Sequence, residues 1–371
     1  MMVNGIRKKA FLCEKYVSGK SMDQVMADYG LTSVVKLGSN ENMYAPYPNA
    51  LKAMRDQIDM VNIYPERDYI RLKELLATKF GVAGPEWISL GHGAGNVLDS
   101  VAKTLLEEGD EVIVPEQSYR LYPEISKIMG AKVVEVPLDA TYTISLKAFA
   151  KAMNDKTKIV WLCNPNNPTG TVVSKEDFDW FVDQMPQNCW LVVDEAYAEF
   201  ADEGALPDVV SYIKAGKQVI DIRTFSKYYG LAGQRIGYLI ADPDFINWYD
   251  TVSEPFNSNR LGLAAACALL EQDAEECERC KALMVNDRER MNKELEAIGC
   301  VPVHSDANFV FFEMPYDAVE VSESLLRRGV IVRPCAGWGY RRHMRVSIGT
   351  TEQNNEFLKQ IRAVFGELAA K

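Results

Sequence analysis

No run of apolar residues in this chain approaches the roughly 18 needed to cross a membrane. The opening stretch, MMVNGIRKKAFLCEKY, is basic but lacks an apolar core, so a signal peptide is not expected. Histidine is scarce, at 3 residues. The 8 cysteines show no disulfide-like spacing for a chain this long. Cys277 and Cys280 form one C-x-x-C inside the acidic helical stretch EECERCKALM. No second pair stands at zinc-ligand spacing, so these thiols read as helix residues and no metal is expected. There is no basic tract, and the net charge is -11. Nucleic acid and anionic membrane surfaces are therefore poor partners for the whole molecule, although a local arginine cluster can still hold a small anion. Repeats and low-complexity segments are also missing. A reduced, cytoplasmic protein is expected.

What is present is a globular composition, 47% hydrophobic and 25% charged, over 371 residues. That length points to two domains. Strand-like runs alternate with helix-like stretches through the middle: EWISL, DEVIVP, KIVWLC, CWLVV, QVIDI and RIGYLIA are separated by amphipathic segments. This alternation predicts an α/β fold, a mostly parallel sheet covered by helices. From about Pro255 the pattern changes to a long helical region, then NFVFFEM, VIVRP, HMRVSIG and a last helix from Glu352. The expected division is an arm over 1–45, a large domain over 46–255 and a smaller α+β domain over 256–371.

Ligands of open α/β sheets sit outside the carboxyl ends of the strands, so the residues after each apolar run carry the information. EWISL is followed by GHGAGN, glycines ahead of a helix, where backbone amides suit a phosphate. KIVWLC is followed by NPNNPTG, with Asn164, Asn166, Asn167 and Gly170. CWLVV is followed by DEAYAEF, with Asp194 ending a very apolar strand and Tyr197 three residues on. A carboxylate there must be paired or used. QVIDI is followed by RTFSKYYGLAGQR, with Thr224, Ser226, Lys227 and Arg235. Lys227 is an anion anchor or a nucleophile. Taken together, the phosphate cradle, the amide, the acid with a phenol and the lysine with an arginine fit pyridoxal phosphate.

NPNNPTG, VVDEAYAEF, TFSKYYGLAGQRIGY and MRVSIGT, with the N-terminal YVSGKSMDQVMADYGLTSVVKLGSNEN and YPERDYIRLKELLA, carry a resemblance that spans nearly the whole chain. The sequence resembles the fold type I aminotransferases, and within them the histidinol-phosphate branch. The resemblance implies that Lys227 forms the Schiff base with pyridoxal 5'-phosphate and that Asp194 holds the pyridine nitrogen. It implies that Tyr197 and Asn167 bond the phenolic oxygen, with Tyr119 stacked on the ring. The amides of Ala94 and Gly95, with Thr224, Ser226 and Arg235, would bind the phosphate. Tyr64 would reach in from a second subunit of a homodimer with shared sites. Arg345 would take the substrate's anionic end, and the arm would pack with the smaller domain; Arg333 in VIVRP is a second candidate for that end, and Tyr16 in the arm is a further candidate substrate contact. The family usually carries an acidic pair where Gly95 and Asn96 stand, and asparagine is common at His92. The implied reaction passes the amino group of histidinol phosphate to 2-oxoglutarate by a ping-pong route. Three other readings remain open at this point: an aromatic amino-acid aminotransferase, a decarboxylase of a phosphorylated amino acid, and a non-catalytic binding protein. Trp338 and Tyr340 could wall an aromatic donor.

Overall fold

The computed structural model describes residues 5–15 and 19–370. Tyr16 therefore lies outside the described residues. A short strand, β1 (Val35–Lys36), leads in from the N-terminal segment. The central sheet has seven strands: β2 (Ile88–His92), β3 (Glu111–Pro115), β4 (Lys132–Val136), β5 (Thr157–Cys163), β6 (Trp190–Asp194), β7 (Val219–Thr224) and β8 (Ile236–Ile240). Their order is β2-β8-β7-β6-β5-β3-β4. Neighbours from β7 to β4 run parallel, and β8 is antiparallel to both of its neighbours. Two reversals leave β2 running with β7. The ends of β2, β3, β5, β6 and β7 therefore open on one side.

Strands covered on both faces read as continuous apolar runs. In β5, Ile159 and Trp161 pack beneath the helices Ala94–Leu105, Leu121–Met129 and Pro243–Val252, while Val160 and Leu162 pack on the opposite face with Phe149, Phe178 and Phe181. The edge strand β4 is not among the runs that the sequence pattern marks as strands. Its KVVEV run is half-exposed, and its β-branched residues were the available signal.

The smaller unit is an antiparallel sheet in the order β12-β13-β10-β9, formed by β9 (Val301–Val303), β10 (Phe309–Glu313), β12 (Arg333–Pro334) and β13 (His343–Ser347). β11 (Val330–Ile331) pairs in parallel with β1. No helix among the described residues is long and apolar enough to cross a membrane.

Two sequence expectations are displaced. The long helical region breaks at Asp273 into helices Arg260–Gln272 and Ala274–Glu296. The first packs on the helix Pro48–Arg55 of the large unit, and the second joins the smaller unit. The break is fixed by chemistry. The buried Asp273 carboxylate accepts the backbone amides of Asn49, at 3.4 Å, and Ala50, at 2.9 Å. A carboxylate there satisfies first-turn amides of the helix Pro48–Arg55 and complements its dipole. The long helical region thus changes packing partner at Asp273. The N-terminal arm is also divided. Its strand β1 joins β11, whereas Cys13 and Glu14 bond to Glu124 on the helix Leu121–Met129 of the large unit.

Candidate active site

Where β2 ends, Gly93 turns the chain with φ 75° and a helix begins at Ala94. A Cβ on Gly93 would collide with the Arg235 guanidinium, so only glycine lets that side chain lie across the turn. On β8, a Cβ at Gly237 would collide with the Ala94 nitrogen. The first amides of the helix, Ala94 and Gly95 among them, have no intrahelical partners and sit at the positive end of its dipole. Thr224 donates to Ser226 Oγ at 2.9 Å beside them. These amides, two hydroxyls and one guanidinium line the same cavity and make a cradle for an anion. Asn96, the departure from the family pattern, accepts the His92 amide at 3.1 Å. It braces the turn.

Asp194 closes β6 and is 4% exposed. Tyr122 donates to its Oδ2 at 2.8 Å, and the Ala196 amide donates to Oδ1 at 3.2 Å. Burial pushes this carboxyl up to about 6, against the pull of those two donors. No ion pair reaches it among the described residues. Its carboxylate would be relieved by a cation placed in the cavity. Tyr197 is buried close by, and its ring lies edge-on to Phe309. Tyr119 lines the wall, edge-on to Tyr122.

Lys227 follows β7 and is partly buried. Its Nζ donates to the Ser39 carbonyl at 3.0 Å and stands 5.8 Å from the Tyr197 ring centre. Burial pulls its ammonium down to about 8, helped first by Arg345 and then by Arg235. Arg345 is the larger of the two cationic contributors. An amine with this value is about half neutral at pH 8, a far larger fraction than an ordinary lysine offers a nucleophilic or basic role.

Two guanidinium groups approach from the smaller unit. Arg333 on β12 stands opposite Arg345 on β13. Arg345 is buried, donating to the Gly38 carbonyl at 2.8 Å and to Asn167 Oδ1. With its oxygen so engaged, Asn167 keeps an NH2 group, a donor. Trp338 lies between the arginines, its ring centre 5.5 Å from Arg333 and 6.0 Å from Arg345. Its indole is pinned by donation to the Ser118 carbonyl at 2.7 Å. Arg333 forms no ion pair among the described residues and lines the cavity. Tyr340 packs instead against Tyr142, Phe311 and His343.

One cavity of about 510 Å³ thus collects residues from the ends of β2, β5, β6 and β7 and from β12 and β13. Tyr64 is not among them. It is 75% exposed and stacks on Phe256, with ring centres 4.7 Å apart. Sequence reasoning gave no role to Tyr122, although the run SYRLY contains it, or to the segment GSNE, which lines the cavity. A group with a cationic ring nitrogen, an aldehyde and a phosphate matches what these residues offer: a buried acid with no ion pair among the described residues, an amine that loses its proton readily, and an anion cradle whose guanidinium a Cβ at residue 93 would displace.

The chain also matches known proteins. The family model described as aminotransferase class I and II matches residues 32–361. Histidinol-phosphate aminotransferase of Symbiobacterium thermophilum is 40% identical over 98% of this chain and 100% of its own length. The enzyme of that name from Moorella thermoacetica is 36% identical over 96% of this chain and 92% of its own. Among solved structures, histidinol-phosphate aminotransferase from Sinorhizobium meliloti in complex with pyridoxal-5'-phosphate superposes with a TM-score of 0.90, 27% identity and 99% of each chain covered.

Proposed function

The chain belongs to the aminotransferase class I and II family, and we propose that it passes the amino group of histidinol phosphate to 2-oxoglutarate with pyridoxal phosphate as cofactor. The observation that carries the substrate class is the pair Arg333 and Arg345, side by side on neighbouring strands and lining the cavity that Lys227 also lines. A phosphate brings nearly two charges and three acceptor oxygens to two guanidinium groups. A lone carboxylate would leave one arginine poorly matched, which is costly in a closed site. The names of the full-length relatives agree with this reading.

In this reading the cradle of Ala94, Gly95, Thr224, Ser226 and Arg235 holds the cofactor's phosphate. Asp194 Oδ2 and Oδ1 hold the proton of the ring nitrogen, and Tyr197 and Asn167 donate to the phenolic oxygen. Tyr119 covers the ring. When bound, the cofactor supplies an aldehyde for amines and a ring that accepts the electron pair of the substrate carbon. Lys227 Nζ, about half neutral at pH 8, would take the proton from the carbon bearing the amino group and return it to the cofactor carbon. Arg345 and Arg333 take the anionic end of each substrate in turn. Because donor and acceptor share that pocket, the kinetics are ping-pong.

The protein acts as a homodimer in the cytoplasm. The exposed Tyr64 supports the first statement, since it reaches a site only across an interface. The 8 cysteines, all free thiols, suit a reducing compartment.

The test is the ratio of kcat/KM for histidinol phosphate to that for phenylalanine, in wild type and in Arg333→Leu. Loss of one charge-assisted phosphate contact lowers the ratio by roughly 30- to 1000-fold, about 2–4 kcal/mol, and spares phenylalanine. An aromatic amino acid as the better wild-type donor would overturn the substrate assignment.

A further inference from the structure

The segment Gly38–Ser39–Asn40–Glu41 lines the cavity, and Asn40 is its most buried residue, at 1% exposure. Asn40 has φ 56°, a left-handed conformation that asparagine tolerates better than most residues. Its contacts define a direction. The backbone amide of Asn40 donates to Ser347 Oγ at 2.7 Å. Ser347 then has one hydroxyl proton, and it donates this to Asn40 Oδ1 at 3.0 Å. That bond fixes which side-chain atom is oxygen. The NH2 group faces the other way and donates to Tyr197 Oη at 3.1 Å. Asn308 holds the Asn40 carbonyl at 3.1 Å, so the peptide cannot rotate freely.

A phenol oxygen accepts and donates. In this relay its accepting side is already used, and its own proton is left to point into the cavity. We propose that Asn40 is a positioning residue for Tyr197, holding the phenol as a donor toward the phenolic oxygen of the cofactor. This rests on the cofactor reading given above. Asn40 reaches the reaction only through Tyr197. Nothing in the motif DEAY reveals the relay, because Asn40 and Ser347 lie far from it in the chain.

The groups that face Tyr197 are Lys227, Arg345, Asp194 and Cys163, and none of them is altered by the test. Asn40→Asp keeps the shape, the left-handed backbone and the acceptor for Ser347. It replaces the donor facing Tyr197 with an acceptor, which draws the phenol's proton inward. The readout is the pH midpoint of the visible absorption of the holoenzyme, recorded without substrate. A donor to the phenolic oxygen competes for the charge that holds the proton shared with the bound amine, so losing the donor raises the midpoint.

Tyr197→Phe is expected to raise the midpoint by about one unit. Asn40→Asp raises it by a similar amount. In the Tyr197→Phe background, Asn40→Asp adds less than half of the shift that it produces in wild type. Equal shifts in both backgrounds would mean that the new charge acts directly, and the relay would be overturned. A thermal midpoint that falls while the absorption midpoint stays put would make Asn40 structural only, and would overturn the relay as well. Failure of wild type to form any visible absorption with pyridoxal phosphate would instead sink the cofactor reading, and the relay with it.

Discussion

The two ends of the cavity are built differently. At the cofactor end, most of the functional residues stand at or within a few residues of a strand end of one sheet: Gly93 after β2, Asn167 after β5, Asp194 at the end of β6, Lys227 after β7 and Arg235 just before β8. At the substrate end, the parts come from separate stretches of chain. Gly38 belongs to the N-terminal segment, Arg333 and Arg345 to two strands of another sheet, and Trp338 to a turn pinned on Ser118. The first construction is rigid and local. The second depends on how two units meet. That difference accounts for a fold that fixes cofactor chemistry strongly and substrate choice weakly, since substrate contacts can change without disturbing a single strand end.

The contrast between the two ends is tested most severely at Lys227. Lys227→Ala should lower turnover by roughly 10⁴-fold or more, with cofactor still bound non-covalently through the cradle. Borohydride reduction of wild type followed by peptide mapping should label Lys227, and label on another lysine would refute its role. A single chain does not complete the cofactor end if Tyr64 serves the neighbouring subunit. Mixing Lys227→Ala chains with Tyr64→Phe chains then tests sharing. After subunit exchange, about half of the dimers are mixed and each has one sound site, so activity should approach about a quarter of wild type. Activity no higher than the sum of the separate chains, with exchange verified, would count against a shared site.

How much was legible in the sequence follows the same division. Parallel strands announce themselves as apolar runs, and the polar residue at each end is adjacent in the chain, so the cofactor end could be assembled from motifs. The edge strand β4 was missed because one-sided burial dilutes its apolar signal. The break at Asp273 was missed because its reason is a pair of amides over 200 residues away. Arg333 and Arg345 could be named individually, but their cross-strand register, with Trp338 between them, is a product of folding. The bond from Asn40 to Tyr197 is of the same long-range kind.

The smallest effect separates stability from function at the cofactor end. Burial holds the Asp194 carboxyl at about 6, well above its ordinary 3.8. The folded protein therefore binds this proton more tightly than the unfolded chain does. Stability from this group is greatest at low pH and falls as pH rises from about 4 to about 6. Above pH 6, the cofactor-free protein carries a buried carboxylate at a cost of about 3 kcal/mol. Asp194→Asn removes the charge and keeps the shape. The Ala196 amide still finds an oxygen, and the Tyr122 hydroxyl can accept from the new NH2 group. At pH 7 the cofactor-free variant should melt several degrees above wild type, and at pH 4 the gain should shrink toward zero because the wild-type carboxyl is then protonated. With pyridoxal phosphate the order should reverse at pH 7, since the carboxylate gains a cationic partner that the amide cannot replace, and turnover should fall sharply. A cofactor-free Asp194→Asn variant that is no more stable at pH 7 would show that the carboxylate is not held at a cost, and that this end of the cavity is not built to receive a cation.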